Sequence, residues 1–171
     1  MKVLKIIICV IFSLFVLNAL LPQTYNVERS IEIDSNLSKV FELSNDLERW
    51  PLWSPWVALD NSVKVEIGDI SKGMGANQTW SDNNGTGRLT FIESTKDKRI
   101  SYNIWFGDAK ESATSTMILE QITDQKIKIH WTIEGNVQIP IIGFIFASLI
   151  DTLIGSAFEL SLDNLKREAE A

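Results

Sequence analysis

The sequence has very little sulfur and very little histidine, and both scarcities exclude whole classes of site. Its 171 residues include one cysteine and one histidine. A single cysteine excludes an intramolecular disulfide framework, and the two residues together cannot supply a Cys₄ or Cys₂His₂ zinc site. Strand alternation places the histidine, His130, on a solvent-facing side, so a Ser-His-Asp arrangement is not expected. We therefore predict no metal, no cofactor and no catalytic residue that the sequence identifies.

An excess of positive charge is also missing. The chain has 16 basic and 22 acidic residues, which gives a net charge of −6. Nucleic acid is therefore not an expected partner, because nothing would neutralise its phosphates. Apolar residues make up 45% and charged residues 22% of the chain, a balance typical of globular proteins. Without internal repeats or a Pro/Gly-rich linker, one domain is the economical interpretation.

The first 22 residues differ from all that follows. Lys2 and Lys5 precede a 16-residue run, residues 6–21, in which only Ser13 and Asn18 are polar. A positive start followed by an apolar core indicates a signal anchor or a signal peptide. With Lys5 snorkelling, residues 3–21 cover about 28 Å, close to the hydrocarbon thickness of a membrane.

No convincing small-x-small cleavage triplet follows, so we expect residues 1–22 to be an anchor. A cleaved signal peptide and a buried helix of the domain are the alternatives. Residues 23–171, a domain with a net charge of −8 (14 basic, 22 acidic), would then lie on the non-cytoplasmic side, in the cell envelope or periplasm. If the segment is cleaved, the domain would be exported.

The next part of the chain reads mostly as strands. Residues 25–33 alternate between apolar and polar, and Arg29 is the exception on the apolar side. Asp34 or Ser35 is expected to cap a short helix, and two prolines should break residues 50–56. An Asn84-Gly85 turn and further turn signals then separate five strands, at residues 76–81, 86–93, 99–106, 112–120 and 126–134. In the last strand Ile127, Ile129, Trp131 and Ile133 should face the interior.

The dry face of this sheet needs a cover, and the C-terminus can supply it. Residues 146–169 have helical spacing with an apolar stripe, and about 36 Å of helix would cross a whole sheet. The predicted class is α+β, a curved antiparallel sheet wrapped around a long C-terminal helix, with an N-terminal transmembrane or signal helix. Where sheet and helix diverge, a gap lined by dry-face residues is expected.

Residues 25–169 resemble the SRPBCC, or START-like, helix-grip superfamily, and within it the polyketide cyclase/dehydrase-like branch. The resemblance rests on the order and character of several segments: Val27–Ile33 leading to Val40-Phe41, Trp50 with Trp53-Ser54-Pro55-Trp56, Gly73-Met74-Gly75-Ala76 leading to Trp80, Gly85-Thr86-Gly87, Trp131, and Phe158-Glu159 with Leu162–Lys166. It implies a seven-stranded sheet and a cavity for an apolar or amphipathic small molecule. It implies no fixed catalytic set, because the superfamily includes binders, lipid carriers and enzymes.

Several residues are candidates for the wall or rim of such a cavity. Trp50, Trp53 and Trp56 could form an aromatic rim, or they could anchor a proline-broken loop in the core. Trp131 could be core or cavity wall, and Tyr102 is a further candidate for the wall or rim. Arg29 on an apolar face should be paired or lie in a polar cavity. The nearly all-apolar residues 139–150, with Phe146 and Ile150, could close over the cavity or touch a membrane.

Three functions remain open from the sequence. The first is a membrane-tethered, non-catalytic module that binds a hydrophobic or lipid-like molecule. The second is a cyclase- or hydratase-type enzyme, for which Arg29, Arg88 and Tyr102 would be the residues to inspect. The third is a structural or interaction domain whose sheet–helix space is filled by side chains. The oligomeric state is not predicted.

Overall fold

Seven antiparallel strands form one curved sheet, and a long C-terminal helix lies across it. The computed structural model describes residues 2–20, 23–56, 60–83, 85–137 and 143–171. The elements in chain order are α1 (Lys2–Leu20), β1 (Thr24–Ile33), α2 (Leu37–Asn45), a 3₁₀ helix (Leu47–Leu52), β2 (Lys64–Ile67), β3 (Asn77–Asp82), β4 (Gly85–Thr95), β5 (Arg99–Phe106), β6 (Ala113–Thr123), β7 (Lys126–Asn136) and α3 (Gly143–Glu170).

The sheet order is β1-β7-β6-β5-β4-β3-β2, so every neighbour except β7 beside β1 is also a neighbour in sequence. The predicted α+β class and the helix-grip architecture are confirmed. One strand was missed: β2 has only four residues, all exposed, and it lies at the edge of the sheet. So short an edge strand carries no alternating burial from which it could be recognised. The predicted Asn84-Gly85 turn lies where β3 meets β4, although Asn84 itself is outside the described residues.

The dry face of the sheet follows the predicted alternation. Ile127, Ile129, Trp131 and Ile133 of β7 are all buried, while the residues between them are partly exposed. Burying one face of an antiparallel sheet fixes its register, since a one-residue slip would turn these side chains to solvent.

On β4, Gly87 lies opposite Trp80, and a Cβ there would come within 2.0 Å of the Trp80 ring. The missing side chain therefore lets the indole lie flat across the strand.

Helix α3 has two unlike halves. Its C-terminal half buries Phe158, Leu162 and Leu165 against the sheet. Polar contacts hold this half to the start of the domain: the Ser35 hydroxyl donates to the Ala169 carbonyl (2.9 Å), and Lys166 Nζ donates to the Glu32 carbonyl (2.8 Å). Within the described residues, Ile145–Glu170 is long and apolar enough to cross a membrane by composition, a test that the core helix of a soluble domain also passes.

The segment between β1 and β2 corrects two details of the prediction. Asn36, not Asp34 or Ser35, caps α2, because its Oδ1 accepts from the Lys39 amide (2.8 Å) while Ser35 is bonded to α3. The helical path also continues past Trp50. Asp46 Oδ1 accepts from the Glu48 amide (3.1 Å) and starts the 3₁₀ helix, which includes Pro51 in its last turn. The helix ends at Leu52, one residue after the proline, which cannot donate a backbone hydrogen bond.

Helix α1 covers residues Lys2–Leu20 and is exposed along its length. Its large apolar side chains include Ile7, Ile11 and Phe15, all exposed to solvent. The helix contacts α3.

Candidate functional site

A cavity of about 320 Å³ lies between the dry face of the sheet, α3 and the tryptophan-bearing segment that follows α2. Its walls are mostly apolar. The lining residues are Trp50, Trp53, Ser54, Trp56, Val63, Val65, Gln78, Trp80, Asp82, Leu89, Tyr102, Ile104, Phe106, Trp131, Ile133, Ile154 and Phe158. Ligand pockets occupy roughly 300–1,000 Å³, so this space is at the lower end of that range and is not a packing defect.

Exposure divides the lining into a floor and a rim. The floor consists of residues with almost no contact with solvent, among them Leu89, Tyr102 and Trp131. The rim includes Trp56 and Phe106, which are 48% and 51% exposed. The cavity therefore opens at the side where the tryptophan segment faces the outer strands.

Trp50 and Trp53 line the cavity, and the indole N–H group of each is hydrogen-bonded to a backbone carbonyl of α2. Trp50 Nε1 donates to the Ser44 carbonyl (2.9 Å), and Trp53 Nε1 donates to the Leu43 carbonyl (3.0 Å). Both acceptors lie in the last turn of α2, where a helix leaves carbonyls without intrahelical partners. The two rings are therefore core anchors and cavity wall at once, so the two interpretations of this cluster are not exclusive.

Aromatic contacts connect the wall to the sheet and to α3. Trp50 meets the edge of Tyr102 at 5.6 Å between centroids, and Trp53 meets Trp131 at 5.9 Å. Trp131 stacks on Phe158 of α3 at 3.9 Å, with 10° between the planes. The sheet and α3 thus touch at this stack and leave the hollow beside it.

The floor contains a small buried polar network. Trp131 Nε1 donates to Ser115 Oγ (2.9 Å), and the Ser115 hydroxyl donates to the Thr132 carbonyl (2.9 Å). Tyr102 lies opposite Ser115 in the sheet. Burial raises the pKa of Tyr102 to about 12, although its interactions with Ser115 and Trp131 act in the opposite direction. The Tyr102 hydroxyl is therefore protonated at neutral pH and cannot act there as a base.

Arg29 does not line the cavity, because α3 holds its guanidinium. Nη1 lies 2.9 Å from Asp151 Oδ1 and Nε lies 2.6 Å from Glu159 Oε1. These contacts, the Asp151 hydrogen bond first, raise the pKa of Arg29. A Cβ on Gly155 would lie 1.9 Å from Nη2, so a glycine in α3 makes room for the guanidinium between the two carboxylates. Asp151 and Glu159 are therefore ion-pair partners of Arg29 and not simply a solvated face of α3.

The other candidates lie away from the cavity. Phe146 is on the outer side of α3, and Ile150 packs against the core without joining the cavity wall. Arg88 stacks over the Trp105 ring at 4.3 Å, and His130 lies beside Glu28 on the solvent-facing side of the sheet. In the apolar run, residues 139–142 are outside the described residues. Among the described residues, no cluster of His, Cys, Asp or Glu could hold a metal ion.

Sequence reasoning missed the part of the wall that comes from the outer strands. Trp80, Leu89 and Ile104 line the cavity but were not among the predicted cavity residues. Alternation within β4 and β5 could have placed Leu89 and Ile104 on the dry face. Nothing in the sequence indicates how far a given strand curves away from α3, and that distance separates a cavity wall from a packed core.

A curved sheet, a terminal helix packed across it and an apolar cavity between them define a helix-grip domain. Residues 24–170 match the family described as polyketide cyclase / dehydrase and lipid transport, and the chain belongs to this family. Its fold is that of the START, or SRPBCC, superfamily. A search of curated proteins found no match.

Solved structures share the fold at low sequence identity. A START superfamily protein from Mycobacterium smegmatis has a TM-score of 0.61 at 14% identity, over 85% of this chain and 97% of its own. The Aha1 dimer from Colwellia psychrerythraea gives 0.59 at 15% identity, over 85% and 96%. Protein CV1439 from Chromobacterium violaceum gives 0.63 at 13% identity, over 85% and 97%. At these identities the likeness concerns the fold alone.

Proposed function

We propose that this protein is a membrane-tethered module that binds a hydrophobic or lipid-like small molecule without chemical conversion. The observation that carries the proposal is the 320 Å³ cavity with a buried aromatic and aliphatic floor. An apolar hollow of this size is poorly hydrated, so a hydrophobic ligand gains by filling it. The hollow also speaks against a domain whose core is filled by side chains.

The polar groups of the cavity favour binding over catalysis. Ser54, Gln78 and Asp82 contribute to the lining and are half-buried, whereas the only ionisable group on the floor is Tyr102. A cyclase or hydratase would need at least two groups that exchange protons at the reacting atoms. The raised pKa of Tyr102 removes it as a base at neutral pH. The arrangement matches a ligand whose apolar body lies on the floor and whose small polar end lies near Ser54, Gln78 and Asp82.

The tether in this proposal is residues 1–22, and the binding domain is residues 23–171. Helix α1 has 19 residues, which at 1.5 Å per residue gives about 28 Å. Its charges are Lys2 and Lys5, and its apolar side chains are exposed. With those lysines on the cytoplasmic side, the domain would lie in the cell envelope. If residues 1–22 are instead a cleaved signal peptide, the mature chain should start near residue 22. Intact-mass measurement of the protein from its native source distinguishes the two cases.

The binding test uses the tryptophans as an internal probe. Five of the six tryptophans line the cavity, so a bound fatty acid that absorbs where tryptophan emits should show sensitised emission. The full chain would be placed in phosphatidylcholine nanodiscs, with empty nanodiscs as the background. Saturable sensitised emission supports the proposal, and its absence at all concentrations contradicts it.

A matched pair of variants locates the signal. Ile104→Trp fills part of the cavity, and Ile118→Trp adds the same ring on an exposed position of β6 outside it. Both variants add an energy donor, so a weaker signal that saturates at a higher ligand concentration in Ile104→Trp than in Ile118→Trp reports weaker binding. We expect at least about tenfold weaker binding for Ile104→Trp, equivalent to about 1.4 kcal/mol, and little change for Ile118→Trp. Chemical change of the probe, detected by mass spectrometry after incubation, would support the enzyme instead.

A further inference from the structure

The first half of α3 is apolar on its outer side as well as its inner side. The side chains of Ile145, Phe146, Leu149 and Leu153 are 41%, 42%, 50% and 67% exposed. At about 100° per residue, these four side chains and Leu160 fall within an arc of roughly 100°, so they share one face of the helix over about 23 Å. Surface helices of soluble domains carry polar residues on that side. Beyond Leu160 the same face does so, beginning at Asp163.

The polar groups on this outer face are bonded within the chain. Ser156 is exposed there, but its hydroxyl donates to the Thr152 and Leu153 carbonyls, both at 3.3 Å. The charges that flank the face, Asp151 and Glu159, are both paired with Arg29. The outer face formed by Ile145, Phe146, Leu149, Leu153 and Leu160 therefore presents hydrocarbon and the internally bonded Ser156 hydroxyl, and no charged residue.

The position of α1 decides what covers this face. Three residues after the end of α1 at Leu20, the Gln23 carbonyl accepts a hydrogen bond from the Val137 amide (2.8 Å). A Cβ on Gly143, the first residue of α3, would lie 2.7 Å from Gln23 Oε1. Helix α1 also touches α3. If α1 spans a membrane, the first turns of α3 must therefore lie at the point where the chain leaves it.

We infer that the outer face of α3 from Ile145 to Leu160 rests in the surface of the same lipid bilayer that α1 crosses. This inference rests on the tether in the proposed function. An amphipathic helix at a bilayer surface buries its apolar side about 5–10 Å deep. Ile154 lines the cavity from the opposite side of α3, so one helix diameter, about 10 Å, separates the cavity from lipid.

Site-directed labelling of the full chain in phosphatidylcholine vesicles tests the inference. In a Cys9→Ser background, Leu149→Cys carries an environment-sensitive fluorophore on the apolar face. Asp163→Cys carries it on the same side of the helix beyond the apolar stretch, which controls for the affinity of the dye itself. We expect a blue-shifted emission at position 149 and quenching by spin-labelled lipid about threefold stronger than at position 163. Leu153→Cys repeats the measurement one turn further on, should Leu149→Cys fail to fold.

Two results would overturn the inference. Equal, weak quenching at positions 149 and 163 would mean that the face lies in water, and a blue shift without lipid quenching would mean that protein covers it. Labelling the native Cys9, which is exposed on α1, reports separately whether α1 is in the bilayer. The sensitised-emission assay on the same vesicles reports whether the cavity binds ligand. Failure of the α3 contact is thus distinguishable from failure of the anchor or of binding.

Discussion

Tyr102 should make the stability of this protein fall steeply above pH 10, and the effect can be calculated. The hydroxyl loses its proton near pH 10 in the unfolded chain and near pH 12 in the folded domain. Between these values the folded state binds more protons than the unfolded state, so unfolding becomes easier as the pH rises. The stabilisation is complete below pH 10 and is lost as the pH passes through 10 to 12. By pH 11 the loss should be about 1.4 kcal/mol, and above pH 12 it should approach roughly 3 kcal/mol.

Tyr102→Phe isolates this contribution. Tyr25, whose pKa burial also raises, and the lysines titrate equally in both proteins, so they cancel in the difference between wild type and variant. The assay is urea unfolding of the full chain in non-ionic micelles at several pH values from 7 to 11, followed by circular dichroism. At pH 7 the variant should be less stable by about 1 kcal/mol because Ser115 loses a neighbour. At pH 11 the two proteins should be about equal. A difference that stays constant from pH 7 to pH 11 would refute the buried position of this hydroxyl.

Three further changes test how the wall and helix are held. Gly155→Ala should gain up to about 1 kcal/mol of helix propensity in an Arg29→Ala background but not in the wild type, where the new Cβ meets the guanidinium; equal effects in a double-mutant cycle by urea unfolding would contradict this. Gly87→Ala should displace the Trp80 ring and destabilise the domain by roughly 1–3 kcal/mol, with a changed near-ultraviolet circular dichroism; an unchanged spectrum would argue against the close approach. Trp53→Phe should cost roughly 1–3 kcal/mol, because a buried carbonyl of α2 loses its donor, and a neutral result in thermal unfolding would oppose that role.

The alternation of apolar and polar residues predicted most of the strands, because the face on which a strand residue lies depends only on its position along that strand. Residues 99–106 form β5 with the predicted bounds, and the alternation in β7 correctly separated buried from exposed side chains. Periodicity alone fixes which side chains share a face. The short edge strand β2 was not predicted, because none of its four residues is buried.

The capping residue of α2 was predicted wrongly for a different reason. Three consecutive residues, Asp34, Ser35 and Asn36, can all cap a helix, and propensity does not rank them decisively. Ser35 does not cap α2, because its hydroxyl donates instead to the Ala169 carbonyl, 134 residues away in sequence. A contact at that distance is not visible to a local rule.

The candidate site was predictable in its residue types but not in its boundary. Trp50, Trp53, Trp56, Trp131 and Tyr102 are all in the cavity wall. Arg29 was expected to be paired or in a polar cavity, and its partners come from α3 across the fold. Whether an apolar side chain faces a neighbour or a hollow depends on the separation between sheet and helix. That separation is set by the stack of Trp131 on Phe158 and by the ends of α3, which only tertiary structure reveals.

The most direct test of the ligand-binding cavity is the stability gained on adding a hydrophobic ligand. A ligand that binds only the folded state at a hundred times its Kd should stabilise the wild type and Ile118→Trp by about 2.7 kcal/mol. Ile104→Trp, which occupies the hollow, should gain far less from the same ligand while remaining folded without it. An equal gain in all three proteins, or no gain in any, would contradict a ligand site between the sheet and α3.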